Sequence, residues 1–214
     1  MNSSPKINIS RYCNSIVKRI FDITLSIFLL IIISPIILII FFLVKFSSKG
    51  SIFFKQKRVG KNGKIFTILK FRTMLEGSEK ARFKYIKLNE ASGPVFKIKH
   101  DPRFTKIGFF LSRIGFDELP QLINVIVGDM SLIGPRPLPI YEYKKLKNKY
   151  KVRNLIKPGA TSTWVVEGAH KLSFEKWMKL DKKYIEEANI LLDFLTLIKT
   201  SFKIFTYITV LLIH

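Results

Sequence analysis

Two adjacent carboxylates, Asp117 and Glu118, stand upstream of one arginine, Arg136, that is enclosed by prolines in Gly134-Pro135-Arg136-Pro137. That set suits phosphorus chemistry. Carboxylates can attack phosphorus or hold Mg2+, and arginine matches phosphate in bidentate contact. The flanking prolines restrict the backbone, so the cation is presented with little further entropy to lose. Lys70 and Arg72, in Lys70-Phe71-Arg72-Thr73-Met74, are two residues apart and share a face of a regular strand, which adds donors. Taken alone, the carboxylate pair also reads as an ordinary helix start. Apolar residues at 119, 122, 123, 126 and 127 repeat at helical spacing. Asp117 stands at the N-cap, Pro120 in the first turn and Gly128 past the end. There the helix dipole favours ionised carboxylates.

The elements that must position these groups follow from the pattern. Ser51 to Met74 predicts two short strands around a Lys61-Asn62-Gly63 turn. Residues 75–91 predict a charged helix, and 92–103 strand and loop with a turn at Asp101-Pro102. Residues 141–153 predict a basic helix, 160–166 a strand, and 173–188 a helix. The chain has 214 residues with 37 Lys or Arg against 15 Asp or Glu, a net charge of +22, and 48% hydrophobic residues. That size and composition exclude wholesale disorder. Cys13, the single cysteine, excludes an internal disulfide and a cysteine-rich metal site. Such basicity suits nucleic acid, an anionic membrane surface or phosphorylated substrates. Combined with positive mean hydropathy, it points to a membrane first.

The apolar part is localised. From Ile23 to Val44 no residue is charged, and as a helix this run is about 33 Å long, enough to cross a bilayer core. By composition alone a simple crossing is favoured. Against it stand Ser34-Pro35 at the middle, where proline bends a helix, and positive charge at both ends, Lys18 and Arg19 before, Lys45 and Lys49 after. Asp22 is expected at the headgroup level. A second apolar stretch covers 190–214. Its polar residues Asp193, Thr196, Lys199, Thr200, Lys203 and Tyr207 share one helical face. The expectation is a helix lying in the interface with its lysines at the headgroups, the alternative an ordinary amphipathic helix packed on the rest of the chain. Met1 and His214 are expected on the same, cytoplasmic side.

Three blocks, KRIFDITLSIFLLIIISPIILI, FFKQKRVGKNGKIFTILKFRTM and FDELPQLINVIVGDMSLIGPRPL, resemble the bacterial sugar transferase family, the monotopic polyprenyl-phosphate phosphoglycosyl transferases. The likeness runs from about Lys18 to about Lys199. It implies an α+β fold: a membrane-embedded re-entrant helix, broken at Ser34-Pro35, and a small helix-rich cytoplasmic catalytic domain with a short β element and interfacial amphipathic helices. The implied organisation is an N-terminal tail at 1–17, the re-entrant segment at 18–46, the catalytic domain at 47–189 and the interfacial helix at 190–214. The implied reaction moves a sugar-1-phosphate from a UDP-sugar to polyprenyl (undecaprenyl) phosphate and releases UMP. It would be the first membrane step of capsule, exopolysaccharide, O-antigen or glycoprotein glycan synthesis. Asp117 would be the nucleophile carrying a covalent phospho-sugar, Glu118 the Mg2+ ligand, and Arg136 a phosphate holder. The implied location is the bacterial inner membrane with the domain on its cytoplasmic face, in contact with membrane lipids; nucleic acid is not an expected partner, and a homodimer is left open.

The chain departs from the family pattern at two places. An arginine common five residues before the nucleophile is replaced by Ser112, with Arg113 next along as a candidate phosphate-binding substitute. A Gly-Arg-Asn-like stretch is replaced by Glu167-Gly168-Ala169-His170. Two other classes are weighed: a basic membrane-associated nucleic-acid-binding protein, for which aromatic residues interleaved with basic ones are not evident, and a non-catalytic scaffold of a glycan assembly complex, against which the intact carboxylate pair argues. His100, His170, Trp164 and Trp177 read as structural. Asp129 reads as the close of a helix end, with a secondary Mg2+ role as the sharper alternative.

Overall fold

The computed structural model describes residues 8–168 and 172–213; Met1, Ala169, His170 and His214, on which expectations above fall, lie outside the described residues. The apolar run forms one helix, α1 (Ile16–Ser47), capped by Ser15, whose hydroxyl accepts from the Lys18 N–H. Pro35 lies inside it. Proline has no N–H to give the Ile31 carbonyl, and the Ser34 hydroxyl donates to that carbonyl at 2.8 Å. The Ser-Pro pair therefore leaves no orphaned acceptor, and where helix–break–helix was expected the secondary structure is continuous.

Positions 18, 22, 26, 29, 33, 37, 40 and 44 are buried or half-buried. They recur every three or four residues, so one stripe of α1 faces the rest of the chain. The opposite face leaves Ile20, Ile31, Leu38, Phe42 and Phe46 exposed. Both ends of α1 are bonded to the domain. Near the start, Arg19 donates to the Val125 and Ile126 carbonyls at 2.6 and 2.7 Å. At the far end, Arg72 donates to the carbonyls of Val44, Ser48 and Lys49.

After α1 come β1 (Phe53–Val59) and β2 (Ile65–Phe71), an antiparallel hairpin about the expected turn, where Asn62 takes φ 54°. α2 (Ser78–Ala81) is short and continues as a 3-10 stretch to Leu88, not as one helix over 75–91. No strand forms over 92–103. Instead Met74 bridges Phe104, and Asp101 grips Arg103 through both carboxylate oxygens, at 2.8 and 2.5 Å. α3 (Lys106–Ile114) and α4 (Gln121–Val127) follow. β3 (Ser131–Ile133) pairs in parallel with a later strand, and β4 (Leu138–Pro139) joins the free edge of β1. The basic helix expected over 141–153 is α5 (Ile140–Lys144) plus a 3-10 stretch from Asn148 to Leu155. The break between them lets Leu146 and Arg153 both turn inward. The strand expected over 160–166 is β5 (Gly159–Thr161), the partner of β3, followed by α6 (Thr163–Glu167). α7 (Phe174–Glu187) and α8 (Ile190–Ile213) complete the chain.

α8 reverses the amphipathicity of a soluble helix. Its polar residues Asp193 and Thr196 are 0% and 4% exposed, whereas Phe194, Phe202 and Phe205 on the apolar side are 52%, 69% and 66% exposed. Lys203 donates to the Val165 carbonyl at 2.6 Å rather than standing at the headgroups. Asp193 accepts from Lys18 Nζ at 2.6 Å and from the hydroxyls of Tyr12 and Tyr184 at 3.1 and 2.7 Å. Asp22, also buried, accepts from Lys18 at 2.8 Å and from the Leu132 N–H at 3.1 Å. It is thus an internal anchor and not a headgroup-level residue.

α3 lies on the backbone just past β2: the Thr105 N–H donates to the Thr73 carbonyl at 3.0 Å. A Cβ at Gly108 would stand 1.9 Å from that carbonyl oxygen. Gly108→Ala is therefore expected to destabilise the protein by about 2 kcal/mol or more, read as a lowered unfolding temperature in detergent. An unchanged temperature would mean that α3 is free to move off Thr73.

Candidate active site

α3 ends at Gly115, whose φ of 81° lies in the left-handed region. The chain then makes a 3-10 turn, Phe116–Glu118, before α4. Asp117 accordingly sits inside this turn, and Pro120 takes the N-cap of α4 that Asp117 was expected to fill. Phe116 and Leu119, flanking the pair, pack against the cluster of Ile40, Val44, Phe71 and Leu111. The carboxylates are thereby pinned against the second half of α1.

Asp117 is 6% exposed. Glu118, at the rim, receives Lys70 Nζ on Oε1 at 2.5 Å and Arg136 on both oxygens, at 2.7 and 3.2 Å. Lys70 Nζ also stands 3.9 Å from Asp117 Oδ2. Burial pushes the Asp117 carboxyl up to about 6; Lys70 and Arg136 oppose the rise and the neighbouring Glu118 adds to it. The expectation that a helix dipole favours the ionised form of Asp117 thus gives way to desolvation, which works the other way. Burial works in the same direction on Glu118, but Arg136 and Lys70 outweigh it and hold that carboxyl well below the usual range. The pair is split: one carboxylate is locked ionised, and the other titrates near neutrality.

Each partner is held by a further layer. Lys70 comes from β2, and the Asn124 side chain of α4 sets the register of that strand. Its Oδ1 accepts from the Leu69 N–H at 3.0 Å and its Nδ2 donates to the Thr67 carbonyl at 2.8 Å. The loop bearing Arg136 is gripped by two other arginines. Arg58 donates to the Pro137 carbonyl and Arg153 to the Arg136 carbonyl, both at 2.8 Å. Arg153 is fixed in turn by buried Asp181, which accepts its Nε at 2.9 Å. Gly134 lies so near the Lys157–Gly159 backbone that a Cβ would be 2.7 Å from the Lys157 carbonyl oxygen.

The structure brings together Asp117, Glu118, Lys70 and Arg136. Arg72 is elsewhere, its guanidinium committed to the C-terminus of α1. Arg113 is exposed in the last turn of α3, 4.7 Å from the Phe109 ring centroid. Sequence reasoning missed Lys97, half-buried and held down to about 8 by burial and by the charges of Arg136 and Arg113. It also missed Asn124, whose signal was available: an amide in the middle of an otherwise apolar helical run. Among the described residues no group of three or more His, Cys, Asp or Glu is placed to hold a metal.

A family model described as bacterial sugar transferase matches residues 13–207. The exopolysaccharide production protein ExoY of Sinorhizobium fredii is 37% identical over 194 residues, covering 89% of this chain and 86% of that protein. The undecaprenyl-phosphate galactose phosphotransferase of Salmonella typhimurium is 34% identical over 202 residues, 91% of this chain and 41% of the relative. The UDP-glucose:undecaprenyl-phosphate glucose-1-phosphate transferase of Escherichia coli is 37% identical over 199 residues, 89% of this chain and 40% of the relative. The chain thus spans most of ExoY and about two fifths of the other two.

The split carboxylates give a pH signature. Asp117 is protonated below about pH 6 and ionised above it, so a rate that requires its carboxylate falls as pH drops through 6. Lys70→Met removes a cation that opposes the rise and should move this midpoint upward. Glu118→Gln removes an anion and should move it downward. Carbon-13 titration of labelled aspartate reads both shifts; a midpoint unmoved in Lys70→Met would show that the 3.9 Å pair has no electrostatic hold on Asp117.

Proposed function

This chain belongs to the bacterial sugar transferase family, and from that premise we propose that it transfers a sugar-1-phosphate from a UDP-sugar to polyprenyl phosphate. The observation that carries the reading is the buried Asp117 beside a Glu118 clamped by Lys70 and Arg136. An ion-pair site built solely for stability has no use for a second carboxylate left titrating beside the first.

The Asp117 carboxylate attacks the sugar-bearing phosphorus. The bond from that phosphorus to the bridging oxygen breaks, and UMP leaves with the electron pair. An oxygen of polyprenyl phosphate then attacks the same phosphorus and displaces Asp117, giving polyprenyl diphosphate sugar and the regenerated carboxylate. Arg136 and Lys70 supply fixed positive charge where anionic oxygens gather, with Lys97 and Arg113 on the same side as further cations.

With Asp117 and Glu118 as the local carboxylates, the donor set fits Mg2+ held through one carboxylate and completed by substrate phosphates and water. Glu118 would hold it, releasing an ion pair to do so. Bound there, Mg2+ offsets the charge of the diphosphate and eases departure of UMP. Asp129 lies at the far end of α4, which gives it no part in this site.

α1 and α8 support a membrane setting. Both present apolar faces outward, and a cavity of about 370 Å³ between α1 and α3 is lined by Ile39, Phe42, Leu43, Phe46, Ser47 and Ile107. A crossing helix would carry one end about 30 Å from the domain, whereas both ends of α1 are bonded to it. This favours entry into one leaflet of the inner membrane, with the domain on the cytoplasmic face. The acceptor phosphate would then reach Asp117 along the surface.

The direct test incubates the purified chain with polyprenyl phosphate, Mg2+ and a panel of UDP-sugars and follows UMP. Asp117→Asn is expected to lose transfer by several orders of magnitude while still folding, and donor alone should leave a phospho-sugar on Asp117 of the parent, seen by mass spectrometry. Near-parental turnover in Asp117→Asn would rule out the covalent route. Arg113→Ala is expected to lower kcat/KM on the order of 10²-fold if Arg113 stands in for the arginine replaced by Ser112; a change under about twofold would leave it as a cation resting on Phe109.

A further inference from the structure

A second cavity, of about 300 Å³, lies at the root of α1, its lining including Ser15, Arg19, Asp22, Lys61, Ser131 and Lys157. It is separate from the carboxylate turn. Asp117 precedes the N-terminus of α4, whereas this cavity sits by its C-terminus, about 10 Å away along a seven-residue helix.

The charges around it do not balance. Lys18, also in the lining, takes up two carboxylates, Asp22 and Asp193, which leaves neither of them bonded to the other cations. Arg19 is spent on the neutral carbonyls of Val125 and Ile126. Lys61 donates at 2.6 Å to the side-chain oxygen of Asn14, again neutral. A Cβ on Gly128 would stand 3.3 Å from an Arg19 nitrogen and 3.6 Å from Lys157 Nζ, so those two cations meet over that glycine. Among the described residues no carboxylate comes within ion-pair distance of Arg19, Lys61 or Lys157. Burial and the charge of Arg19 lower the Lys157 pKa; Asp22 opposes them, Lys61 adds to the lowering, Asp129 opposes it again, and the net shift is downward. Three cations from three parts of the chain thus converge on one space, where the carboxylate in the lining, Asp22, is bonded to Lys18 and to the Leu132 N–H and not to any of them, and the positive end of α1 faces the same space through Ser15 and Ile16.

We propose that this cavity binds the phosphate of an anionic phospholipid headgroup. The chemistry selects a phosphate ester. Its surroundings select a lipid over a soluble anion, because Ile16, Val17 and Ile20 beside it are 79%, 57% and 56% exposed and offer an apolar bed for acyl chains. A bound headgroup would brace the C-terminal end of α4, the helix that follows directly from the Asp117 turn. The site stands independently of the transfer reaction.

Because a chain of net charge +22 adheres to any anionic vesicle, the test must count bound lipid. The full chain in neutral detergent is mixed with phosphatidylglycerol or phosphatidylcholine and examined by native mass spectrometry. The parent should retain one phosphatidylglycerol and no phosphatidylcholine. The double variant Lys61→Gln/Lys157→Gln should lose that retention at least tenfold. Lys182→Gln/Lys183→Gln, an equal charge change on the exposed side of α7, should keep it. Lys157→Arg should also keep it, and its failure to do so would assign the loss to packing and overturn the electrostatic reading. Equal retention by the double variant overturns the site itself. Displacement of the lipid by millimolar inorganic phosphate alone overturns the lipid assignment in favour of a soluble anion.

Discussion

Placing two carboxylates side by side in a buried turn is the constraint on which the rest of this structure depends. Each ionised group resists leaving water, and each raises the resistance of the other. Lys70 and Arg136 offset that, but they converge on Glu118, and among the described residues Asp117 is left with one ion-pair contact, at 3.9 Å. The asymmetry matters more than the sum. Were both carboxylates paired equally, both would be inert anions. With one clamped, the other is left to change its charge near pH 6, held in place by packing at Phe116 and Leu119 and not by its own charge.

That arrangement demands rigidity from its donors, and the chain supplies it in nested layers. The Arg136 loop is fixed by backbone hydrogen bonds from Arg58 and Arg153, and Arg153 is fixed by Asp181 on α7. Lys70 is fixed because Asn124 of α4 completes the backbone bonding of β2. α4 therefore relates the turn at its start to the strand opposite, while its end is tied by Arg19 to α1. A helix too short to be stable alone becomes the strut between the carboxylate turn and the long apolar helix.

The long apolar helix, the hairpin about Asn62 and the helix end at the left-handed Gly128 were legible because local pattern decides them. The tertiary commitments were not. Lys70 and Arg72 share a strand spacing, yet one reaches the carboxylates and the other caps α1, since Arg72 follows the last β2 residue at the point where the chain meets Ser48 and Lys49. Asp22 and Asp193 looked like surface charges on membrane helices. Nothing local says that Lys18 and two tyrosines converge on them from residues as far apart as 12 and 184.

The inverted face of α8 follows from the same physics. In water the buried Lys18–Asp22–Asp193 cluster would compete with solvation of each charge, and helices would turn Phe202 and Phe205 inward. Next to hydrocarbon the preference reverses, because polar groups have no other place to find partners than the protein interior. α1 and α8 are joined through Lys18 and Asp193 on their inner faces, while their outer faces leave Ile20, Ile31, Phe202 and Phe205 exposed. The ion cluster thus does what a hydrophobic core does in a soluble protein. It fixes how the two helices with exposed apolar faces sit against each other, while Arg19 and Arg72 tie both ends of α1, the segment against which the Asp117 turn is packed, to the rest of the chain.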